Sequence, residues 1–447
     1  MGCPWPGEIQ AGQLYTWGRG SQGQLGQEKV KYPKDNCAIP YPVPNFNSIV
    51  WVACGGGQQG CTACVNSIGQ LFTFGNNYGF RLGHKNLKTE RDHARTPRQV
   101  KSLDHDEIAQ VACGLHHMLA LSRSGTVYSW GTNRSGCLGC GVNDTKHVQR
   151  EAKTVNMVDG ILWISAESDY SGCVNKTGQL FMWGGNTWGA GKKSSGEKLW
   201  AGKLGLGDDC GRHKVTPQRV LSLNNAFVTR SSLGSVYAGC CTEDGALYMW
   251  GYGGHGNLGL GNRNSYATPQ LVKHLHEKGE VVVEVACTVG QEGPKGDFYP
   301  STTGNEGPHT VVVALTGGIY TFGTCHKGLL CNLGEKTGGF GEPYDELLPY
   351  FVGKDKIRNG KKRPPMSPFA AWPPPYDESM EAPVVHVVSG HIHCAAVTSN
   401  GTAWAWGCGS NDGRCGVERF LNASGDGERK PPKVDTMKCY MMQPHKV

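Results

Sequence analysis

The chain has 447 residues, of which 66 are Gly, and carries 44 Lys and Arg against 37 Asp and Glu for a net charge of +7. Glycine at that level without a triplet period excludes collagen and fits a turn-dense β architecture, and a mean hydropathy of -0.40 is that of a water-soluble chain. No apolar run approaches the roughly 18 residues a span needs, and the opening "MGCPWPGEIQ" lacks a leader's apolar core, so the sequence predicts neither membrane insertion nor secretion.

The first element, "LYTWGRGSQGQLGQ" at 14–27, places Gly18, Gly20 and Gly23 in a G-x-G-x-x-G spacing. A dinucleotide-binding loop would need a helix opening on these glycines. The next twenty residues instead hold Pro33, Pro40, Pro42 and Pro44, with no apolar recurrence every three or four positions. The glycines are therefore read as turn residues.

The same phrase then recurs along the chain. Its aromatic-x-[Trp/Phe]-Gly core appears at Tyr15–Gly18, Phe72–Gly75, Tyr128–Gly131, Phe181–Gly184, Tyr248–Gly251, Tyr320–Gly323 and Trp404–Gly407. The ring positions Trp17, Phe74, Trp130, Trp183, Trp250, Phe322 and Trp406 are 57, 56, 53, 67, 72 and 84 residues apart. A period in the fifties with growing insertions means one supersecondary unit per repeat, each burying its neighbour's apolar face. A G-x-L-G turn comes after the phrase at 23–26, 136–139, 202–205 and 256–259. Upstream lie "WVACGG" (51–56), "QVACGLHHMLALSRSG" (110–125) and "VVSGHIHCAAVTSNG" (387–401), each a short apolar strand, a Gly turn, a second strand and a hairpin. Seven such units arranged radially predict an all-β fold, a single seven-bladed β-propeller over 1–447, which protects sheet edges by circular repetition. The first unit starts at its aromatic strand, so residues 434–442 are expected to pair beside 12–18 and lock the ring.

These phrases together resemble the regulator of chromosome condensation repeat family, over nearly the whole chain. The resemblance implies the seven-bladed fold; it implies function less, because propellers host unrelated activities. The family's founding member is an exchange factor for the small GTPase Ran, which makes a Ran-like GTPase the alternative partner. Its exchange residues include an Asp shortly after an early W-G phrase, whereas "WGTNRSGCLG" here has no acid and only "WGCGSNDG" places Asp412 so. The founding member's basic tail and the plant ultraviolet-B receptor's G-W-R-H-T repeats are both missing.

No cofactor or metal is expected. Cys61/Cys64 and Cys137/Cys140 are C-x-x-C pairs, but Cys64 falls in a strand and Cys137 in a turn. Cys54, Cys113 and Cys287 share one "V-A-C" position that wants a small buried hydrophobe. The 19 cysteines are read as reduced core thiols of an intracellular protein. His117 and His393 stand at one repeat position, matched by Cys61, Tyr170 and Tyr237, which suits a turn tie and not a shared catalyst. No nucleophile, acid pair or Walker loop is found, and the chain is read as a non-catalytic interaction scaffold.

Function is expected where the chain departs from the repeat. Three insertions do so, at about 186–205, 288–309 and 335–383. The first carries Trp188 and Trp200. The third carries Lys354, Lys356, Arg358, Lys361, Lys362 and Arg363, which less Asp355 give +5 of the chain's +7. Just beyond stand Trp372 and Pro373, Pro374, Pro375 and Tyr376, a P-P-x-Y ligand for an aromatic groove. These side chains are the expected contacts for a protein partner, tubulin or another cytoskeletal protein among them, in a large assembly such as a ciliary axoneme in the cytoplasm. The basic run also reads as a nuclear address. With so local a basic patch, nucleic acid is not the expected partner.

Overall fold

Each aromatic phrase forms the third strand, or in the first unit the first, of a small antiparallel sheet. The structure is a computed structural model that describes residues 11–27, 36–56, 60–156, 160–186, 202–288, 291–292, 298–299, 308–325, 330, 344–352, 357–358, 361–362, 383–391, 393–399, 401, 403–407 and 440–442. Numbering each blade by its unit, blade 2 runs Ile49–Gly55, Cys61–Asn66, Leu71–Asn76 and His93–Gln99 from inner to outer strand. Blade 3 runs Ile108–Cys113, His117–Ser122, Val127–Thr132 and Val148–Thr154. Blade 4 runs Ile161–Glu167, Tyr170–Asn175, Leu180–Gly185 and His213–Arg219. Blade 5 runs Val228–Leu233, Tyr237–Thr242, Leu247–Gly251 and Tyr266–Leu271. Blade 6 runs Val282–Cys287, His309–Ala314, Ile319–Cys325 and Tyr344–Val352. Blade 7 runs Val384–Ser389, His393–Thr398, Ala403–Gly407 and Tyr440–Met442.

The propeller class stands, but the blade count does not. Among the described residues there are six four-stranded sheets rather than seven; the first unit contributes only a ribbon of Tyr15–Arg19 with Asn36–Pro42. The expected closure also fails. Tyr440–Met442 pairs with Ala403–Ala405 as the outer strand of blade 7, not with residues 12–18. The seventh unit needs a fourth strand beside its aromatic strand as every complete blade does, and the C-terminal segment supplies it.

The aromatic ring positions account for much of the core. Phe74, Trp130, Trp183, Trp250, Phe322 and Trp406 are fully buried, as expected, whereas Trp17 in the two-stranded ribbon is half-buried. Phe74, Trp130, Trp183, Trp250 and Phe322 each pack on the glycine that ends the preceding unit's turn. A Cβ added at Gly83, Gly139 or Gly205 would stand 2.8 to 2.9 Å from the indole nitrogen of Trp130, Trp183 or Trp250. Only glycine fits there, and its positive φ of 68 to 73° suits it further. The indole N–H donates to the carbonyl of that turn: Trp130 to Arg81 at 2.7 Å, Trp183 to Cys137 at 2.9 Å and Trp250 to Lys203 at 3.0 Å. Within a unit, the residue between the aromatics ties down its own turn, as Thr16, Thr73, Ser129 and Thr321 donate to Leu25, Leu82, Leu138 and Leu330.

A second lock lies at the shaft. In each of the six blades the inner strand bulges just before its third residue, which is Trp51, Gln110, Trp163, Arg230, Glu284 or His386 in turn. A bulge re-aims the side chain next to it. Here it turns the third residue towards the neighbouring blade. Trp51 donates to Val111 O at 2.8 Å, Gln110 to Ile164 O at 2.9 Å and Trp163 to Ser231 O at 2.9 Å. Arg230 lies 3.5 Å from Glu284, which accepts from His386 at 2.7 Å and from the Val387 N–H at 3.0 Å. Trp51 meets Trp163 edge-on at 5.9 Å, and Arg230 lies 5.3 Å over the Trp163 ring.

The outer strands carry a signal that the aromatic phrases overshadow. "RTPRQV", "VTPQRV" and "ATPQLV" end the outer strands of blades 2, 4 and 5, with Pro97, Pro217 and Pro269 on the edge where a missing N–H costs no ladder bond. "LLPYFV" does the same in blade 6. The insertion expected from 335 to 383 therefore contains a repeat element, since Tyr344–Val352 is the outer strand of blade 6. The long segment before it obscures its alternation. Inside the 288–309 insertion, expected to lack regular structure, Gln291–Glu292 pairs with Phe298–Tyr299.

Candidate interaction surface

The two ends of the propeller differ. One end carries the hairpins between second and third strands together with the linkers that enter each inner strand. There the geometry repeats in all six blades: the first hairpin N–H donates to the linker carbonyl, as Ser67 to Ser48, Arg123 to Glu107, Lys176 to Gly160, Glu243 to Phe227, Leu315 to Val281 and Ser399 to Pro383, at 2.7 to 2.8 Å. The hairpin glycine seats the next blade's linker. A Cβ at Gly178 would meet Phe227 at 2.5 Å, one at Gly245 would meet Val281 at 2.5 Å, and one at Gly317 would meet Pro383 at 2.3 Å. Backbone bonds close the same seams, with Val228 N–H to Gly178 O and Val282 N–H to Gly245 O at 2.9 Å.

What varies on this belt is the side chain it presents. At the seam of blades 2 and 3 a shallow groove is lined by the exposed Ile68 with Lys101, Asp104, Asp106, Glu107 and Arg123, of which Arg123 pairs with Glu107 at 2.7 Å and Lys101 with Asp104 at 3.4 Å. At the seams of blades 4, 5 and 6 the belt turns apolar. Phe227 is 41% exposed, Val281 39% and Leu315 68%, with Leu162 and Leu221 also exposed. These apolar groups stand on a hydrogen-bonded, glycine-seated frame, so they are presented in fixed positions.

The opposite end carries the G-x-L-G turns and the turns between first and second strands, and two of its cations, Arg81 and Lys203, are held inside. Arg81 is fully buried and donates to Leu115 O at 2.5 Å and to Asn76 O at 3.2 Å. Lys203, also buried, reaches Asp169 at 2.5 Å and lies 4.5 Å from the Tyr170 ring centroid. Burial pushes the Asp169 carboxyl up, but the charge and hydrogen bond of Lys203, with Ser135 and Arg134, outweigh it and hold the group below the usual carboxylate range. His116 lies against Tyr78 at 5.0 Å and near Arg134 at 3.5 Å; burial first, then the Arg81 and Arg134 charges, bring it down to about 3. It is a neutral packing group. Phe80 stands at φ 58° where other units place the first Gly of the turn, with the Arg150 guanidinium 4.1 Å over its ring.

Of the side chains expected to bind a partner, Trp188, Trp200, Lys354, Lys356, Arg363, Trp372, Pro373, Pro374 and Tyr376 lie outside the described residues, as does Asp412. Arg358, Lys361 and Lys362 fall in a short ribbon, with Arg358 opposite Lys361 and Ile357 opposite Lys362. The apolar arc of Phe227, Val281 and Leu315 was not anticipated. Its signal, an apolar residue in a linker or hairpin where other units place Glu107, Gly160, Arg123 or Lys176, becomes readable only once the repeats are aligned. Among the described residues no group of three or more His, Cys, Asp or Glu could hold a metal, and no helix is long and apolar enough to cross a membrane.

Comparison with known proteins agrees with this architecture. The family model described as the regulator of chromosome condensation (RCC1) repeat matches residues 11–61, 69–121 and 244–290, and a second model of that repeat matches 108–137. The human E3 ubiquitin-protein ligase HERC2 is 31% identical over 280 residues, 62% of this chain, and the chain spans only 5% of that relative's length. The ultraviolet-B receptor UVR8 of Arabidopsis thaliana is 27% identical over 422 residues, 94% of this chain and 76% of the receptor. Among solved structures, human WBSCR16 superposes with a TM-score of 0.65 at 20% identity, covering 91% of each chain. Yeast RCC1 (Prp20), crystallised bound to Kap60, superposes with a TM-score of 0.64 at 19% identity, covering 90% of this chain and 80% of that one. The matched segments are regulator of chromosome condensation (RCC1) repeats, and the chain shares the propeller fold of these structures.

Proposed function

We propose that this propeller is a non-catalytic protein-interaction module and that its hairpin end is a contact surface. The observation that carries the reading is the arc of Phe227, Val281 and Leu315. It exposes large apolar side chains on a frame in which every hairpin N–H and every seam glycine is fixed. Exposed apolar groups grouped at one end mark a partner site more than scattered ones do, and a rigid frame reduces the ordering cost of binding. The basic run of the third insertion, with Trp372 and Tyr376, is proposed as a second contact that supplies steering charge. A tubulin, axonemal or other cytoskeletal setting gains no support from the described surface or from the relatives, and the reading leaves it out.

The alternative is nucleotide exchange on a Ran-like GTPase. Prp20p of Saccharomyces cerevisiae, a superposable propeller, is described with binding properties to Gsp1p and histones, but at 19% identity the likeness is one of fold. The test is affinity purification of the full chain beside its Phe227→Ser/Leu315→Asp variant, with release of labelled nucleotide from Ran measured in parallel. The module reading expects stoichiometric partners that the variant loses, and no accelerated release. Catalytic acceleration of release would replace it with the alternative.

A further inference from the structure

The position that opens the second strand, occupied by Cys61, His117, Tyr170, Tyr237, His309 and His393 in blades 2 to 7, reaches the end of the next blade's inner strand at several seams. At the seam of blades 6 and 7, His309 Nε2 lies 3.0 Å from Ser389 Oγ; at the seam of blades 5 and 6, the Tyr237 hydroxyl accepts at 2.8 Å from the N–H of Thr288, the residue after Cys287. At the seam of blades 2 and 3 the same two positions are both thiols, Cys61 and Cys113. Gly55 makes their approach close. It stands opposite Cys61 in the sheet, its carbonyl lies 3.5 Å from the Cys61 sulfur, and a Cβ there would be 2.5 Å from the Cβ of Cys113. The two thiols shift each other's titration, Cys61 down and Cys113 up. Beside them the Arg81 guanidinium covers Gly56, whose added Cβ would meet Arg81 Nη1 at 2.1 Å.

We propose that Cys61 and Cys113 form a redox-sensitive pair, oxidised by a hydroperoxide to a disulfide that staples blade 2 to blade 3. Cys61 is the attacking thiolate, because the neighbouring Cys113 thiol and the Arg81 charge outweigh burial and bring it to about 7, while Cys113 is raised. In the first step the Cys61 sulfur attacks a peroxide oxygen, the O–O bond breaks, and Cys61–SOH forms as the alkoxide or hydroxide leaves and takes a proton. In the second, the Cys113 sulfur attacks the Cys61 sulfur, the S–O bond breaks, and water leaves with the Cys113 proton. The peroxide is reduced by two electrons and the thiol pair is oxidised by two. Both sulfurs are buried, so the oxidant that reaches them is small and uncharged, as hydrogen peroxide is.

The experiment treats the folded full chain with graded hydrogen peroxide, then blocks free thiols and maps peptides without reduction. The expected result is a Cys61–Cys113 linked peptide appearing before any other linkage, lost on addition of dithiothreitol. In the Cys113→Ser variant the expected result is a Cys61 sulfenic acid trapped by dimedone and no linkage. Because a substitution could unfold the seam, the wild-type chain also serves alone: iodoacetamide at neutral pH should label Cys61 ahead of the buried thiol Cys240, whose own environment raises it. Linkage of other cysteines first, or Cys61 labelling no faster than Cys240, would overturn the proposal.

Discussion

Thr62 stands directly across the sheet from Phe74, and its hydroxyl donates at 2.9 Å to Gln24 O, the turn carbonyl that an indole N–H takes in the tryptophan blades. Blade 6 repeats the arrangement: Thr310 stands opposite Phe322 and donates to Asn257 O at 2.8 Å. Opposite Trp130 and Trp250 the same place holds Met118 and Ala238, which have no hydroxyl to give, while opposite Trp183 Ser171 donates to Cys137 O at 3.0 Å beside the indole. Where the ring lost its donor, the cross-strand neighbour carries one.

This pairing predicts a compensation. Thr62→Val should cost about 1–3 kcal/mol by leaving a buried carbonyl unpaired. Adding Phe74→Trp should recover part of that loss, because the indole N–H reaches the same oxygen. Chemical denaturation of the two single variants and the double variant forms the cycle, and additive effects would deny the coupling.

The ring positions should differ in weight. Trp250→Ala is expected to lower stability by about 3–5 kcal/mol through the cavity it leaves and the lost bond to Lys203 O. Trp17→Ala should cost clearly less, since that ring is half-buried in a two-stranded ribbon. Equal losses in urea melts would mean that the first unit is a full blade in solution.

The Asp169–Lys203 pair makes a third case. Lys203 is 2% exposed, so Asp169→Asn strands its ammonium among Tyr170 and backbone and should cost about 3–5 kcal/mol. The double variant Asp169→Asn/Lys203→Met removes the stranded charge and should be more stable than Asp169→Asn alone. Thermal denaturation of both variants at pH 7 decides it.

Acidification should destabilise the propeller in a defined window. Burial brings His117 and His84 down to about 4, and burial with the Arg81 and Arg134 charges brings His116 to about 3. These values lie below the unfolded value of about 6.5. As pH falls through about 6.5 the unfolded chain therefore takes up protons that the folded chain does not. Stability is full above that point and drops towards pH 4, by about 1.4 kcal/mol per pH unit for each group. His386 acts in the opposite sense: burial lowers it, but Glu284 outweighs burial and raises it, so its contribution is full below 6.5 and fades as pH rises through the raised value. Melting temperatures from about pH 8 to about pH 4 for the wild type and His117→Gln check this; the variant should show the shallower acid loss.

The fold was legible because its main signal, an aromatic phrase every fifty-odd residues, is local and repeats. Trp130, Trp183 and Trp250 do at each seam what the period implied. The blade count was not legible, because a period counts aromatic strands and not their partners. Trp17 and Trp250 look alike in sequence, yet only Trp250 has three strands beside it. The outer strand Tyr344–Val352 was missed for a related reason: its Pro-containing signature is weak alone and becomes readable beside Pro97, Pro217 and Pro269. The candidate surface was least legible. Phe227 and Leu315 are ordinary apolar residues until the hairpin glycines place them at the propeller's end, side chains outward.

Docking of partners on the hairpin end carries the functional reading. Cross-linking mass spectrometry of the purified full-chain complex, with hydroxyl-radical footprinting of the same sample, probes that docking without any substitution. The expected result is partner-dependent protection of Phe227, Val281 and Leu315, with cross-links from Lys278 and Lys176 nearby. Protection confined to Tyr78, Phe80 and Arg150 at the opposite end, with the apolar arc still reactive, would contradict it.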